Sequence, residues 1–193
     1  QVLIPALGPG IANATAGIAG ALMERSPMAV LTGEMAGANA QIYNHQVFDH
    51  VALATPVTKY AATLNAARPA QQMARALDIA MAYPAGPVML NVPADLGRAE
   101  CAEKFDARPV AIARTTLTQD AAVAARLAIA QAKRPLALIG RGAVHDGVPE
   151  ALRLFLESWR MPFFATYKGK GAVDELHALG LGAVGLSPVV DAA

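Results

Sequence analysis

Two hydrophobic periods alternate along this chain. Short, nearly continuous apolar runs read as buried strands, and longer segments with an apolar residue every three or four positions read as helices. Gln1 to Leu7 (QVLIPAL) is a run of the first kind. The Gly8-Pro9-Gly10 turn then opens a segment in which Ile11, Ile18 and Leu22 recur at near-helical spacing up to Ser26-Pro27. MAVLTG, from Met28, is the next strand, followed by a polar loop from Glu34 to about Asn44 and a short helix over Gln46 to Ala54 that Pro56 ends. VTKYAAT, from Val57, is extended. Pro69 occupies the tolerated first position of another helix, with Met73, Leu77, Ala80 and Met81 as its buried stripe, and Tyr83-Pro84 stops it. GPVMLNVPAD, from Gly86, is apolar almost throughout, as strands are when helices cover both faces of a parallel sheet.

The pattern breaks between about Leu96 and Thr116, where charges, Pro109 and Cys101 accumulate without clean periodicity. Beyond it the alternation resumes. Thr118 caps a helix to about Ala132, RPLALIGRG is a strand and glycine turn, PEALRLFLESWR is an amphipathic helix, and MPFFAT is another strand. The expected fold class is α/β, with a doubly wound, flavodoxin- or Rossmann-like parallel sheet in each half and each half incomplete. The expected organisation is a first domain over 1–95, a linker over 96–117 and a second domain over 118–193.

Composition narrows the function. Of 193 residues 54% are apolar and 16% charged, enough for a real core and far from a disordered profile. The net charge of +1 comes from mixed signs with no lysine or arginine run, which argues against a nucleic-acid partner. The long uncharged stretch near the start is broken by Asn13, Thr15 and glycines, too polar for a membrane span. The single cysteine, Cys101, allows no internal disulfide and fits a reducing, cytoplasmic compartment. The first residues carry no export signal and open directly on a strand, so the chain is expected to lie inside a larger protein.

Two strands run into G-x-G turns, Gly8-Pro9-Gly10 and Gly140-Arg141-Gly142. A dinucleotide fingerprint needs a third glycine where Asn13 and His145 stand, and Pro9 removes a backbone donor from the phosphate loop. Glu34 lies roughly where a ribose-binding carboxylate would, so a nicotinamide-dependent oxidoreductase stays among the alternatives. The first turn has a more particular use. A proline between two residues without side chains forms a rigid shelf on which a flat ring can rest, with the Asn13 amide one turn on. His45 and His50 are five apart, not the spacing of paired zinc ligands on a helix; His50, His145 and His177 read as structural or solvent-facing. No G-x-S-x-G elbow is present, and Cys101 has no partner in sequence.

The ordered series GPGIAN, SPMAVLTGE, HQVFDHVALATPVTKYA and GPVMLNVPADL, then AKRPLALIGRGA and MPFFATYKGKGAVDELHALGLGAVG, resembles thiamine diphosphate-dependent enzymes of the acetolactate synthase and pyruvate oxidase group. The resemblance covers nearly the whole chain. It implies the later part of the N-terminal, pyrimidine-binding domain followed by the start of the central domain. By that resemblance Gly8, Pro9, Gly10 and Asn13 lie against the cofactor's aminopyrimidine. Gln46 reaches towards the reacting end of cofactor and substrate. His45 and Val47 stand where acetolactate synthases have phenylalanine and glutamate. His45 could shuttle a proton or hydrogen-bond a carbonyl oxygen of the substrate.

The implied substrate is a small 2-oxo acid, decarboxylated or used as an acyl donor, in a homodimer or homotetramer of the whole enzyme. The glutamate that activates the pyrimidine in this family lies upstream of the aligned part. The Mg2+ and diphosphate are bound by a C-terminal domain with a G-D-G…N motif, and no G-D-G occurs here. This stretch alone is therefore expected to be inactive. Some relatives hold FAD or ADP in the central domain, for which Gly140, Arg141 and Gly142 would be the place. A non-catalytic nucleotide-binding module is the remaining alternative.

Overall fold

The computed structural model describes residues 1–101, 103, 116–144 and 147–184, apart from the side chains of 38, 40 and 98. The chain divides into two compact units, Gln1–Thr115 and Thr116–Ala193. His145 and most of the segment 96–117 lie outside the described residues.

Unit 1 contains strands β1 (Val2–Leu3), β2 (Met28–Glu34), β3 (Tyr60–Thr63) and β4 (Pro87–Pro93), all parallel, in the order β1-β2-β4-β3. Its helices are α1 (Pro9–Met23), α2 (Gly37–Ala40), α3 (His50–Ala54) and α4 (Pro69–Met81). Alternate residues of the two central strands feed two cores. Val30 and Met89 pack with Ile11 and Ile18 of α1 and Ala54 of α3, while Ala29, Val88 and Leu90 pack with Ala76 and Ala80 of α4. A strand buried on both faces must be apolar at every position, which is why β2 and β4 show no period-two pattern.

Right-handed crossovers fix which helix covers which face. The connections β1→β2 and β2→β3 step across the sheet in one direction and put α1 and α3 on one side. The return from β3 to β4 puts α4 on the other. The buried stripe of α4 is narrower than its large residues suggested: Ala76 and Ala80 are fully covered, with Met73, Leu77 and Met81 half-buried. Small side chains let this helix lie close to the strands. Elsewhere β1 keeps only two residues ahead of Ile4-Pro5, and the predicted polar loop contains the short α2. The helix expected from Gln46 begins at His50, because the Asp49 side chain accepts from Ala52 N at 2.8 Å and caps it there.

Unit 2 holds a second parallel sheet, β5 (Ala137–Ile139), β6 (Phe163–Ala165) and β7 (Gly180–Ala183), in sequence order, with helices α5 (Gln119–Gln131) and α6 (Val148–Ser158). Its core gathers Ile139, Leu156, Met161, Phe163, Ala165, Ala172 and Val173. β7 escaped the sequence reading because GLGA carries two glycines and only one large apolar residue. Across the surface of α6 Arg153 bridges Glu150 and Glu157, and its hydrogen bonds hold both carboxyls below their usual range. Among the described residues no helix is long and apolar enough to cross a membrane.

Lys59 joins an edge strand of unit 1 to a helix end. Its ammonium donates to the carbonyl oxygens of Ile79 and Ala82, the last turn of α4, where unpaired carbonyls and the helix dipole favour a cation. Partial burial of the stem holds its pKa below the ordinary lysine value. Replacing Lys59 by methionine keeps the stem and removes the donors. It is expected to lower the stability of unit 1 by about 1 kcal/mol, read as a shift in the urea midpoint.

Candidate functional site

The parallel order places the C-terminal ends of β2, β4 and β3 side by side. The connections leaving β2 and β3 there go to opposite faces of the sheet, and such divergence opens a crevice in α/β folds. Here it is a cavity of about 380 Å3 lined by Glu34, Thr63 and Pro93 at the strand ends, and by Gln46, Phe48, His50 and Asp95 from the loops. Met35, Val47, Leu64 and Leu96 supply further apolar wall. Among the described residues two carboxylates and no lysine or arginine line it.

Beneath this cavity runs a chain of polar groups that begins at buried His50 and Asn91 and surfaces at Thr63 and Glu34. Gly8 N donates to His50 Nε2 at 3.1 Å, and His50 Nδ1 lies 3.3 Å from Asn91 Oδ1. Asn91 Nδ2 donates to Glu34 Oε1 at 2.9 Å and to Thr63 Oγ1 at 3.3 Å, and the Thr63 hydroxyl donates to Glu34 Oε2 at 3.1 Å. Thr63 and Asn91 are ladder partners on β3 and β4, so strand register brings them together. Asn91 is 0% exposed and His50 2%. Such groups persist in an apolar interior only when fully paired, and here each is. Phe48 meets the His50 ring edge-on, with centroids 4.7 Å apart.

The turn before α1 locks onto the same region. Gly8 has φ +65° and ψ −114°, a backbone state in practice open to glycine alone. A Cβ on it would come within 2.6 Å of Gln46 Cβ and 2.8 Å of Gln46 O. Gln46 itself has φ +61°, a left-handed conformation held by this contact. The structure therefore unites Gly8 with Gln46, and the space above the Gly8 shelf is filled by Gln46 rather than left open to a ring. Gly10 faces Ala6, with 3.0 Å from a built Cβ to Ala6 Cβ.

The remaining expected site residues lie apart from the cavity lining. Pro9, Asn13 and His45 are exposed and do not line it. Gly140 follows β5 and Gly142 lies within a 3-10 turn, Arg141–Val144, and open space faces both positions where a Cβ would be built. The tightest glycine of the second unit is instead Gly169, whose built Cβ would stand 2.2 Å from Ile139 O.

Sequence reasoning gave Glu34 a ribose and His50 no ligand-facing role, and passed over Thr63 and Asn91. One signal for Asn91 was available: a single amide interrupting VMLNV, inside a strand otherwise buried on both faces. A second, basic cavity of about 500 Å3 borders Tyr60, Arg68 and Arg75, with the Arg75 guanidinium 5.6 Å from the Tyr60 ring centre. Among the described residues no three His, Cys, Asp or Glu side chains cluster closely enough to hold a metal ion.

The fold is that of an α/β protein with parallel sheets, with a cavity over the strand ends of unit 1. Residues 122–193 match the family described as thiamine pyrophosphate enzyme, central domain. The acetolactate synthase large subunit of Parasynechococcus marenigrum (strain WH8102) is 34% identical over 189 residues, covering 93% of this chain and 30% of that protein. Acetolactate synthase isozyme 2 large subunit of Escherichia coli (strain K12) is 29% identical over 96% of this chain and 34% of its own length. The acetolactate synthase of Bacillus subtilis (strain 168) is likewise 29% identical, over 96% of the chain and 33% of that protein. Residues 122–193 thus carry the central-domain pattern of the thiamine pyrophosphate enzymes, and the chain as a whole is similar to about a third of the length of these acetolactate synthases.

Two substitutions separate the roles of the paired glycines. Gly8→Ala meets both a forbidden φ and the Gln46 backbone, and should cost unit 1 about 2–3 kcal/mol. Gly10→Ala, inside α1, gains helix propensity against a tight contact with Ala6 and should stay within about 1 kcal/mol of the parent. Urea unfolding of the two variants side by side checks the difference.

Proposed function

We propose that the acid-lined cavity of unit 1 receives the aminopyrimidine end of thiamine diphosphate, in an acetolactate synthase-like enzyme that decarboxylates a 2-oxo acid or transfers the derived acyl group. The observation that carries this is the Glu34 carboxylate, fixed by Asn91 and Thr63 at the rim of a cavity that no cationic side chain lines among the described residues. Such a carboxylate accepts hydrogen bonds from an exocyclic amine or a protonated ring nitrogen. The apolar wall of Met35, Val47, Phe48 and Leu64 suits the face of a heteroaromatic ring. Gln46 adds an amide at the mouth.

The same chemistry argues against the other end of the cofactor resting here. Glu34 and Asp95 would repel a diphosphate, and a Mg2+-binding cluster is missing among the described residues. In this reading the diphosphate, its Mg2+ and the substrate carboxylate are held by parts of the enzyme outside the described residues. What the bound cofactor supplies is stabilisation of the carbanion left when a 2-oxo acid loses carbon dioxide. This chain orients the ring, excludes water from its apolar face and offers a carboxylate to its donors. The likeness to acetolactate synthases supports acetolactate formation as the overall reaction.

Titration of the 193-residue chain with thiamine and with 4-amino-5-hydroxymethyl-2-methylpyrimidine, followed by amide chemical shifts, tests the assignment. Shifts should centre on Glu34, Gln46, Phe48 and Thr63, the free pyrimidine should compete with thiamine, and Glu34→Ala should weaken both about tenfold, as loss of a charged hydrogen-bond acceptor does. Shifts confined to other residues, or equal binding by Glu34→Ala, would overturn it. For the reaction class, the whole polypeptide with thiamine diphosphate and Mg2+ should consume a 2-oxo acid.

A further inference from the structure

His50 is almost fully buried and touches the turn before α1 on one side and β4 on the other. We propose that His50 is a positioning residue, which ties the Gly8-Pro9-Gly10 turn to the carboxylate end of the cavity as a neutral imidazole with its proton on Nδ1. The Gly8 amide at one end and the Glu34 carboxylate at the other set a single direction for the relay between them.

The direction follows from donors and acceptors alone. Gly8 N–H can only donate, so Nε2 must be bare. A neutral imidazole then carries its proton on Nδ1 and donates to Asn91 Oδ1. That leaves both hydrogens of Asn91 Nδ2 for Glu34 Oε1 and Thr63 Oγ1, and an ionised Glu34 can only accept. Turning the ring tautomer around sets Nε2–H against Gly8 N–H and a bare Nδ1 against Oδ1. Turning the Asn91 amide to rescue the second contact sets Oδ1 against the carboxylate. In an interior of low dielectric each such clash is costly. The Gly8 N–H therefore fixes the tautomer of the ring, and the Glu34 carboxylate fixes the Asn91 amide so that its oxygen receives the Nδ1 proton.

This arrangement also answers a local need. Gly8 is the N-cap of α1 and has no side chain to make a capping bond, and Gly8 itself is buried. Without an acceptor from α3 its N–H would be left unpaired in the interior. The acceptor is placed by Asp49, whose cap of α3 starts the helix at His50 and turns the ring inward. The turn is thus held from α3, while Gln46, four residues earlier on the same connection, packs on Gly8 and lines the cavity. The consequence for the cofactor rests on the aminopyrimidine reading given above; the tautomer itself needs no ligand.

Imidazole nitrogen shifts of the 15N-labelled 193-residue chain, recorded without ligand at a pH where histidine is neutral, test the proposal. His50 should show a protonated Nδ1 and a bare Nε2. His177 supplies the opposite case in the same spectrum, because Leu179 N donates to its Nδ1 and its Nε2 faces Glu157. Glu34→Gln leaves the Gly8 donor in place, so His50 should keep its proton on Nδ1 while the Asn91 side-chain amide loses its charged acceptor and its hydrogens shift. His50→Gln keeps an acceptor at the Nε2 position and should preserve slow exchange of the Gly8 amide, while His50→Phe should speed it about tenfold or more. A His50 protonated on Nε2 in either the parent chain or Glu34→Gln, or equal Gly8 exchange in His50→Gln and His50→Phe, overturns it. Should thiamine fail to bind while the tautomer pattern holds, the cofactor reading falls and the positioning role stands.

Discussion

An ionised carboxylate at the end of a parallel strand, held by an amide that has nowhere else to turn, organises unit 1. Asn91 sits in the middle of β4 with no access to water, so each of its polar atoms must find a partner inside the protein. Those partners come from β2, β3 and α3, three elements far apart in sequence. Their mutual placement is therefore dictated by hydrogen-bond valence as much as by packing. The apolar cores on either face hold the sheet together; the amide decides how its upper edge is arranged.

That edge lies where the fold has space. Strands β2, β4 and β3 end in register, and the chain leaves them in opposite directions, so no helix fills the crevice between. Sheet interior and cavity floor share the same residues, and this is why polar side chains appear at Glu34, Thr63 and Asn91 after several wholly apolar positions. The resulting charge is one-sided. A basic cavity borders the outer side of β3, but the charges that the described residues bring to the crevice are acidic. Such a site suits a ring with hydrogen-bond donors and excludes an anionic tail, so one cofactor would need two differently charged regions to hold it.

The second unit follows a simpler logic. Its three parallel strands meet one core, centred on Phe163 and Leu156, and the close passage of Gly169 over Ile139 lets the segment after β6 fold back on the end of β5. The glycines conspicuous in sequence, Gly140 and Gly142, face open space, while Gly169, which passes closest to backbone, lies in the less regular YKGKG stretch. A G-x-G pattern marks a possible close approach. Only the neighbouring backbone shows whether anything approaches.

Much of the architecture was legible beforehand. Doubly buried strands, proline-started helices and the Thr118 cap follow from residue types and local spacing, because helix and strand preferences are set within a few residues. The parallel α/β class followed from their alternation. The ordered motifs also pointed to the thiamine diphosphate family. The short strands β1 and β7 and the start of α3 were not read correctly. Proline, paired glycines and the Asp49 cap moved those boundaries against the hydrophobic pattern. At the site the sequence by itself determined that a glycine turn and Gln46 belong to neighbouring segments of interest. It could not determine that Gly8 packs on Gln46, or that Glu34, Thr63, Asn91 and His50 form one relay. Those contacts join residues up to 57 positions apart. They depend on strand order and crossover direction, which no local window contains, and only the tertiary structure decided them.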